Sequence, residues 1–304
     1  MRQADAALYQ AKSDGKDRVA LYDASMHAQA LERLEVETGL RRGLQRGEFV
    51  LFYQPEVEVS GGRIVGMEAL VRWQHPERGL LLPGAFIPVA EETGLILQLG
   101  AWVLDEACRQ MAHWKHTLGD ESHFAISVNI SARQLARPGL VDLVAETLRK
   151  HGLEPRDLRL EITETAAMQN IDAALPQMRE LHDLGIRLAL DDFGTGYSSL
   201  SYLRQVPVDV LKLDRSFVHD LTSDQPARTI VRTLSILAQL MHIDVTAEGI
   251  ENEDELYRLI ELGCRWGQGN FFSEPQPAEL AGETLRRGIR PEVQDLLQGA
   301  QRVA

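Results

Sequence analysis

The chain alternates two apolar patterns. Short apolar runs such as Ile186-Arg-Leu-Ala-Leu190 are bounded by glycine or acidic residues and predict buried β-strands. Between them lie stretches with apolar residues at helical spacing, as Val103, Ala107, Met111 and Trp114 show within Trp102–Trp114. The expected strands are Phe49–Tyr53, Ile64–Val71, Phe124–Ile130, Leu158–Thr163, Ile186–Asp191, Val208–Leu213, Ile243–Ala247 and Cys264–Gly267. A helix at about 25–47 precedes them, and Leu140–Lys150, Asp172–Leu184, Pro226–Met241 and Glu253–Leu262 read as helices between them. Gly152, Gly185 and Gly263 each close a helix just before a strand, where glycine supplies a left-handed cap.

Alternating strands and helices predict an α/β fold with a mostly parallel sheet. Eight strands fit a (β/α)8 barrel. A doubly wound open sheet is the alternative, but no GxGxxG or Walker A loop supports a nucleotide-binding version of it. Residues 1–23 read as a separate piece, helical over Ala4–Lys12 and strand-like over Asp17–Tyr22, and too short to be a domain. Residues 24–47 form a linker and first helix, 48–280 the barrel, and 281–304 a helical tail.

Composition narrows the function. With 304 residues, 44% of them hydrophobic, the chain can bury a barrel-sized core. A net charge of −13 excludes DNA and RNA polymers as natural partners. An anionic small molecule binds such a protein only where metal or local Lys and Arg invert the field. Cys108 and Cys264 form no CxxC motif and read as reduced, buried thiols of a cytoplasmic protein. No stretch of the length that crosses a membrane is present, although a parent protein can carry an anchor elsewhere.

Asp191 and Asp192 end one strand and are followed by glycines in Phe193-Gly-Thr-Gly196. Adjacent carboxylates repel and resist burial, and a divalent cation is the common remedy. The pair alone is equally well read as a helix cap beside a solvated side chain. Other strand ends decide. Glu68 lies late in the second strand, Asn129 ends the third, Glu161 the fourth, Lys212 and Asp214 the sixth and Glu248 the seventh, while Gln268 follows the eighth. Each has an ordinary reading: Glu161 in a structural ion pair, Lys212 snorkelling, Asn129 on a loop backbone, Gln268 exposed. Together they would meet at one barrel mouth, where barrel enzymes keep their sites. Five of these carboxylates and one amide oxygen, with no histidine, suit Mg²⁺ or Mn²⁺ and argue against zinc. Two such ions are a standard device for phosphodiester hydrolysis.

Arg72 reads equally as a phosphate clamp or a surface ion pair, and Glu164 as an anchor for the glycine loop or a solvated residue. His75 reads as a loop residue, and Trp102 and Trp114 as core.

The motifs Tyr53-Gln-Pro55, Glu68-Ala-Leu-Val-Arg-Trp73, Ser127-Val-Asn-Ile-Ser131, Glu161-Ile-Thr-Glu164, Asp191-Asp-Phe-Gly-Thr-Gly196, Lys212-Leu-Asp214, Ala247-Glu-Gly249 and Gln268-Gly269 resemble the EAL family of cyclic di-GMP phosphodiesterases, over roughly residues 30–280. The resemblance implies a modified (β/α)8 barrel with one antiparallel strand, and hydrolysis of cyclic di-GMP to linear pGpG. It implies one metal held by Glu68, Asn129, Glu161 and Asp191, and a second held by Asp191, Asp192 and Glu248. Lys212, Glu248 and Glu68 are then the catalytic set, with Lys212 positioning water and Glu248 a candidate base. Gln54, the Leu70 backbone, Arg72, Asp214 and Gln268 fall at substrate or active-site positions. Glu164 matches the residue holding the Asp191–Leu200 loop, and with Phe193 and Gly194 it belongs to the part bordering a homodimer interface. None of these positions departs from the motif, which favours an active enzyme over a catalytically silent cyclic di-GMP receptor. Residues 1–23 resemble the tail of a GGDEF domain without its nucleotide-binding core, so a tandem GGDEF–EAL parent is expected and cyclase activity is not.

Overall fold

The computed structural model describes residues 24–119, 124–194, 203–221 and 224–300. The expected GGDEF remnant at 1–23 and residues 195–200 of the expected loop lie outside that set. The described chain forms two compact units, one of residues up to Val50 with Arg72–Leu99, the other of Leu51–Val71 with Gly100 onward.

In the first unit, helix α1 (Ala24–Arg46) precedes the start of strand β1 (Phe49–Glu58). The end of strand β2 (Ile64–His75) pairs antiparallel with β3 (Gly79–Leu81), and α2 (Ile87–Thr93) follows. The unit's core is aromatic: Phe49 stacks on Trp73 at 5.5 Å, and Phe86 meets both rings edge-on at 5.7 and 5.8 Å. Gly39 lets α1 approach, since a Cβ there would lie 2.7 Å from the Trp73 ring. Buried Trp73 Nε1 donates to Glu48 Oε2 at 3.0 Å, so its polar atom is satisfied.

The second unit contains a closed, eight-stranded mixed barrel. Around the ring run β1, β2, β4 (Ala125–Asn129), β5 (Leu158–Thr163), β6 (Arg187–Phe193), β7 (Val210–Leu213), β8 (Asp244–Ala247) and β9 (Trp266–Gln268), and β1 closes on both β9 and β2. Around the ring, the pairings from β2 to β4 and on to β9 are parallel, whereas β1 runs antiparallel to β9, as expected. A short β10 (Gln276–Pro277) pairs antiparallel with Phe52 and Tyr53 of β1. Helices α3 (Ile96–Leu118), α4 (Ala132–Leu135), α5 (Leu140–His151), α6 (Glu164–Gln169), α7 (Ile171–Asp183), α8 (Arg215–Asp220), α9 (Gln225–Leu240) and α10 (Glu253–Glu261) connect the strands. Helices α11 (Ala278–Arg287) and α12 (Pro291–Ala300) form the tail.

Strand alternation separates the two barrel faces. In β5, Leu158, Leu160 and Ile162 are fully buried on one face, while Arg159 and Glu161 meet polar partners from other strands on the opposite one. Gly152, Gly185 and Gly263 take φ of 65°, 93° and 82°, as capping requires.

Several bounds differ from expectation. β1 runs on to Glu58 and β2 to His75, because apolar residues continue to alternate with polar ones. α3 spans Ile96–Leu118, longer than its periodic centre. β6 continues past the aspartates to Phe193 through a register shift after Leu190, with Asp192 at φ 54°. β9 starts two residues late, at Trp266. Trp114 is core, but Trp102 is only half-buried, on the rim of the α3 apolar face. Both cysteines are buried and free, and no described helix is long and apolar enough to cross a membrane.

Candidate active site

The expected residues of the second unit converge, but at two depths. Register pairs Glu68 with Ser127, Asn129 with Glu161, and Thr163 with Asp191. Glu68 and Glu161 therefore lie inside their strands, not at the ends, with 7% and 0% exposure. Asn129 and Glu161 are direct partners across β4 and β5, so a buried carboxylate stands beside an exposed strand end. Asn129, Asp191, Asp192 and Glu248 form the outer layer.

Lys212 sits at the centre, fully buried. Its ammonium is ion-paired to Glu161, lies 2.5 Å from Glu248 Oε1, 3.6 Å from Glu68 Oε2 and 3.9 Å from Asp191 Oδ1. The snorkelling alternative is thereby excluded. Burial opposes its charge, yet the four carboxylates win and hold it protonated well above the usual lysine range. Gln268 is also buried, not exposed: its Nε2 donates to Glu68 Oε2 at 2.6 Å and to Gln54 Oε1 at 3.1 Å. Gln54 Nε2 in turn donates to the Ser273 carbonyl at 3.0 Å. Asn129 Nδ2 donates to Glu68 Oε1 at 2.7 Å. Burial raises the Glu68 carboxyl, but Lys212, Gln268 and Asn129 outweigh it and leave the group below its ordinary value.

The remaining carboxylates have too little positive charge. Burial pushes Glu161 up to about 7 against the pull of Lys212, and pushes Glu248 well above the carboxylate range. Burial, then Asp191 and Asp214, raise Asp192. Asp191, Asp192 and Glu248 each offer an oxygen, and these oxygens lie within 4.8 Å of one another. Buried Glu161 Oε1 has no hydrogen-bond partner. Hard oxygens, mutual repulsion and an orphaned carboxylate oxygen fit a divalent cation.

Around this centre, Glu164, 4% exposed at the start of α6, accepts from the Gly194 amide at 3.0 Å. Gly194 has φ 96°, and a Cβ there would lie 2.6 Å from the Phe217 ring on α8. Phe193 is buried beside it. Asp214 is the N-cap of α8 and accepts from the Ser216 amide at 3.0 Å. Burial works against its ionisation, but bonds from Ser216 and Arg215 lower its pKa below the usual aspartate value. Leu70 is half-buried on β2. Arg72 is buried in the first unit. His75 is the last residue of β2, paired with Gly79, and not a loop residue; its Nδ1 accepts from the Glu77 and Arg78 amides of the turn that follows.

Sequence reasoning missed Phe217 behind Gly194 and the ion pair of Glu56 with Arg159 beneath Glu161. The second carried a signal: Leu158-Arg-Leu-Glu161 places two charges at alternate positions of an apolar run, hence on one face.

The EAL-domain family model matches residues 37–275. MucR of Pseudomonas aeruginosa, named a bifunctional diguanylate cyclase/cyclic di-GMP phosphodiesterase, is 46% identical over 92% of this chain. NbdA of the same organism, named a cyclic di-GMP phosphodiesterase, is 41% identical over 94% of it. The chain spans 40% and 36% of the lengths of these relatives. Among solved structures, the MucR phosphodiesterase in complex with c-di-GMP is similar at TM-score 0.77 and 45% identity, over 81% of this chain and 99% of that one. The EAL enzyme Bd1971, with cAMP and cyclic-di-GMP bound, is similar at TM-score 0.81 and 35% identity, over 84% of this chain and 70% of that one.

Proposed function

The chain belongs to the EAL-domain family, and from that premise we propose that it hydrolyses cyclic di-GMP to linear pGpG using two divalent ions, Mg²⁺ or Mn²⁺. The observation that carries this reading is the pairing of Asp191, Asp192 and Glu248 with a buried lysine among Glu68, Glu161 and Asn129. The names of the relatives support the substrate.

On this reading Glu68, Asn129, Glu161 and Asp191 hold one ion, and Asp191, Asp192 and Glu248 the other. When bound, the ions supply an acidified water and positive charge for the leaving oxygen. Lys212, held charged, orients that water and offsets phosphate charge. Glu248, whose carboxyl favours its proton, serves as ligand or base. One P–O bond breaks: the water oxygen joins phosphorus and the 3′ oxygen leaves with a proton, giving a 5′-phosphate. Gln54, Gln268, the Leu70 backbone and Asp214 contact the dinucleotide.

We extend the reading to a homodimer coupled to the site through Glu164, Phe193 and Gly194. Exposed Ile230, Ile236 and Leu240 on α9 supply apolar surface for it. Buried free thiols fit a cytoplasmic location.

The test is incubation with cyclic di-GMP and Mg²⁺ or Mn²⁺, with products followed by chromatography. pGpG from wild type and none from Glu68→Ala is the expected result. Saturable binding without turnover in either metal would replace this reading with that of a receptor module.

A further inference from the structure

Barrel interiors are ordinarily filled with branched apolar side chains. Directly beneath the carboxylate layer, this barrel instead holds a charge pair. Glu56 on β1 is 0% exposed and Arg159 on β5 is 2% exposed, and the two are ion-paired. Among the described residues Glu56 has no other side-chain partner. Arg159 Nε donates to Ser127 Oγ on β4 at 2.8 Å, and its guanidinium lies 5.9 Å from the Trp266 ring on β9. Gly66 on β2 makes the space: a Cβ there would lie 2.9 Å from Glu56 Oε2 and 3.1 Å from Arg159 Nη2. Five strands thus cooperate to seat one arginine.

A buried pair of this kind contributes little net stability, because desolvating two charges offsets their attraction. What it does contribute here is orientation. Arg159 and Glu161 share a strand face, and Arg159 Nε lies 3.6 Å from Glu161 Oε1, while Lys212 engages Oε2. The Glu161 carboxylate is therefore flanked by a cation at each oxygen: Lys212 engages Oε2 from the site, and Arg159 stands beside Oε1 at a distance that orients it without forming a hydrogen bond.

We propose that Arg159, tethered by Glu56 and Ser127 and given room by Gly66, is a positioning residue that sets the Glu161 carboxylate for divalent-metal binding. The proposal rests on Glu161 being a metal ligand. Its guanidinium shape matters as well as its charge, because one planar group must serve Glu56, Ser127 and Glu161 at once.

The test uses the chelator-treated chain titrated with Mn²⁺, with free ion read by electron paramagnetic resonance, so that binding is measured apart from turnover. Glu56→Met/Arg159→Met removes both charges of the pair while Glu161 keeps Lys212, so its melting temperature should match or exceed that of wild type. Its Mn²⁺ affinity should fall at least about tenfold, the usual cost of losing an outer support. Arg159→Lys keeps a cation against Glu56 and should fold, yet lose affinity by a smaller factor. With cyclic di-GMP, kcat should fall while KM stays within about twofold. Wild-type Mn²⁺ affinity in either folded variant would overturn the proposal, as would full restoration by lysine. If wild type binds Mn²⁺ but releases no pGpG, the proposed activity fails while the affinity comparison still decides the role of Arg159.

Discussion

Replacing Glu161 by glutamine should make the metal-free protein more stable at neutral and alkaline pH while disabling the site. The Glu161 carboxyl ordinarily titrates at 4.5 and is pushed up to about 7 by burial, despite Lys212. A folded-state value above the unfolded one means that the folded protein binds more protons between these two values. Stability of the metal-free chain then falls as pH rises through that window, and the loss is complete above about 7. The interval corresponds to about 3 kcal/mol. Glutamine approximates the protonated form in size and shape, so it avoids this cost. Lys212 keeps Glu248 and Glu68 as partners in the variant. The assay is thermal unfolding of chelator-treated protein at pH 8 and at pH 4.5, with and without Mn²⁺. At pH 8 the variant should melt roughly 5–10 °C above wild type, from about 3 kcal/mol at a few degrees per kcal/mol. At pH 4.5 the gap should close. Saturating Mn²⁺ should raise the wild type strongly and the variant little. A variant that melts below wild type at pH 8 without metal would refute the argument, since Glu161 would then be a net stabilising ion-pair partner.

Other outcomes follow from the same geometry. Glu164→Ala removes the acceptor of the Gly194 amide and should lower turnover and weaken metal or substrate affinity, on the order of tenfold; unchanged kinetics would remove Glu164 from the coupling role. Gly194→Ala must displace the Phe217 ring and occupy φ 96°, so a drop in stability of about 1–3 kcal/mol is expected by denaturant titration. Burial pushes the thiols of Cys108 and Cys264 up to about 12 and about 11, so both should resist alkylation at pH 8 in the native chain and react after unfolding. Chelation should abolish pGpG production, with recovery on adding Mn²⁺ but not Ca²⁺, whose larger and looser coordination suits the catalytic arrangement poorly.

Much of the fold was legible because strands and helices announce themselves locally. The Leu158–Thr163 strand was read to the residue, and glycines marked three helix ends. The site was legible as a set because period-two strands carry polar residues to one end, and because the motifs are dense. Depth was not legible. Strand spacing cannot say that Glu68 and Glu161 are buried while Asn129 is exposed and Asp191 half-buried, since burial depends on what other strands pack around each side chain. Nor could it say that Lys212 faces four carboxylates instead of reaching for water, a matter of five side chains from separate strands.

The sequence by itself determined the kind of protein: an acidic α/β barrel whose strands deliver carboxylates and one lysine to a common mouth. Local pattern suffices for that, because side-chain periodicity and capping act within a few residues. The tertiary structure alone decided which charges meet. It put Arg159 against Glu56 beneath Glu161, because barrel closure brings residues about a hundred positions apart within reach, and Phe217 against Gly194, because β6 and β7 pair side by side. At that range the energy of each contact depends on burial and partner geometry, which no linear pattern encodes.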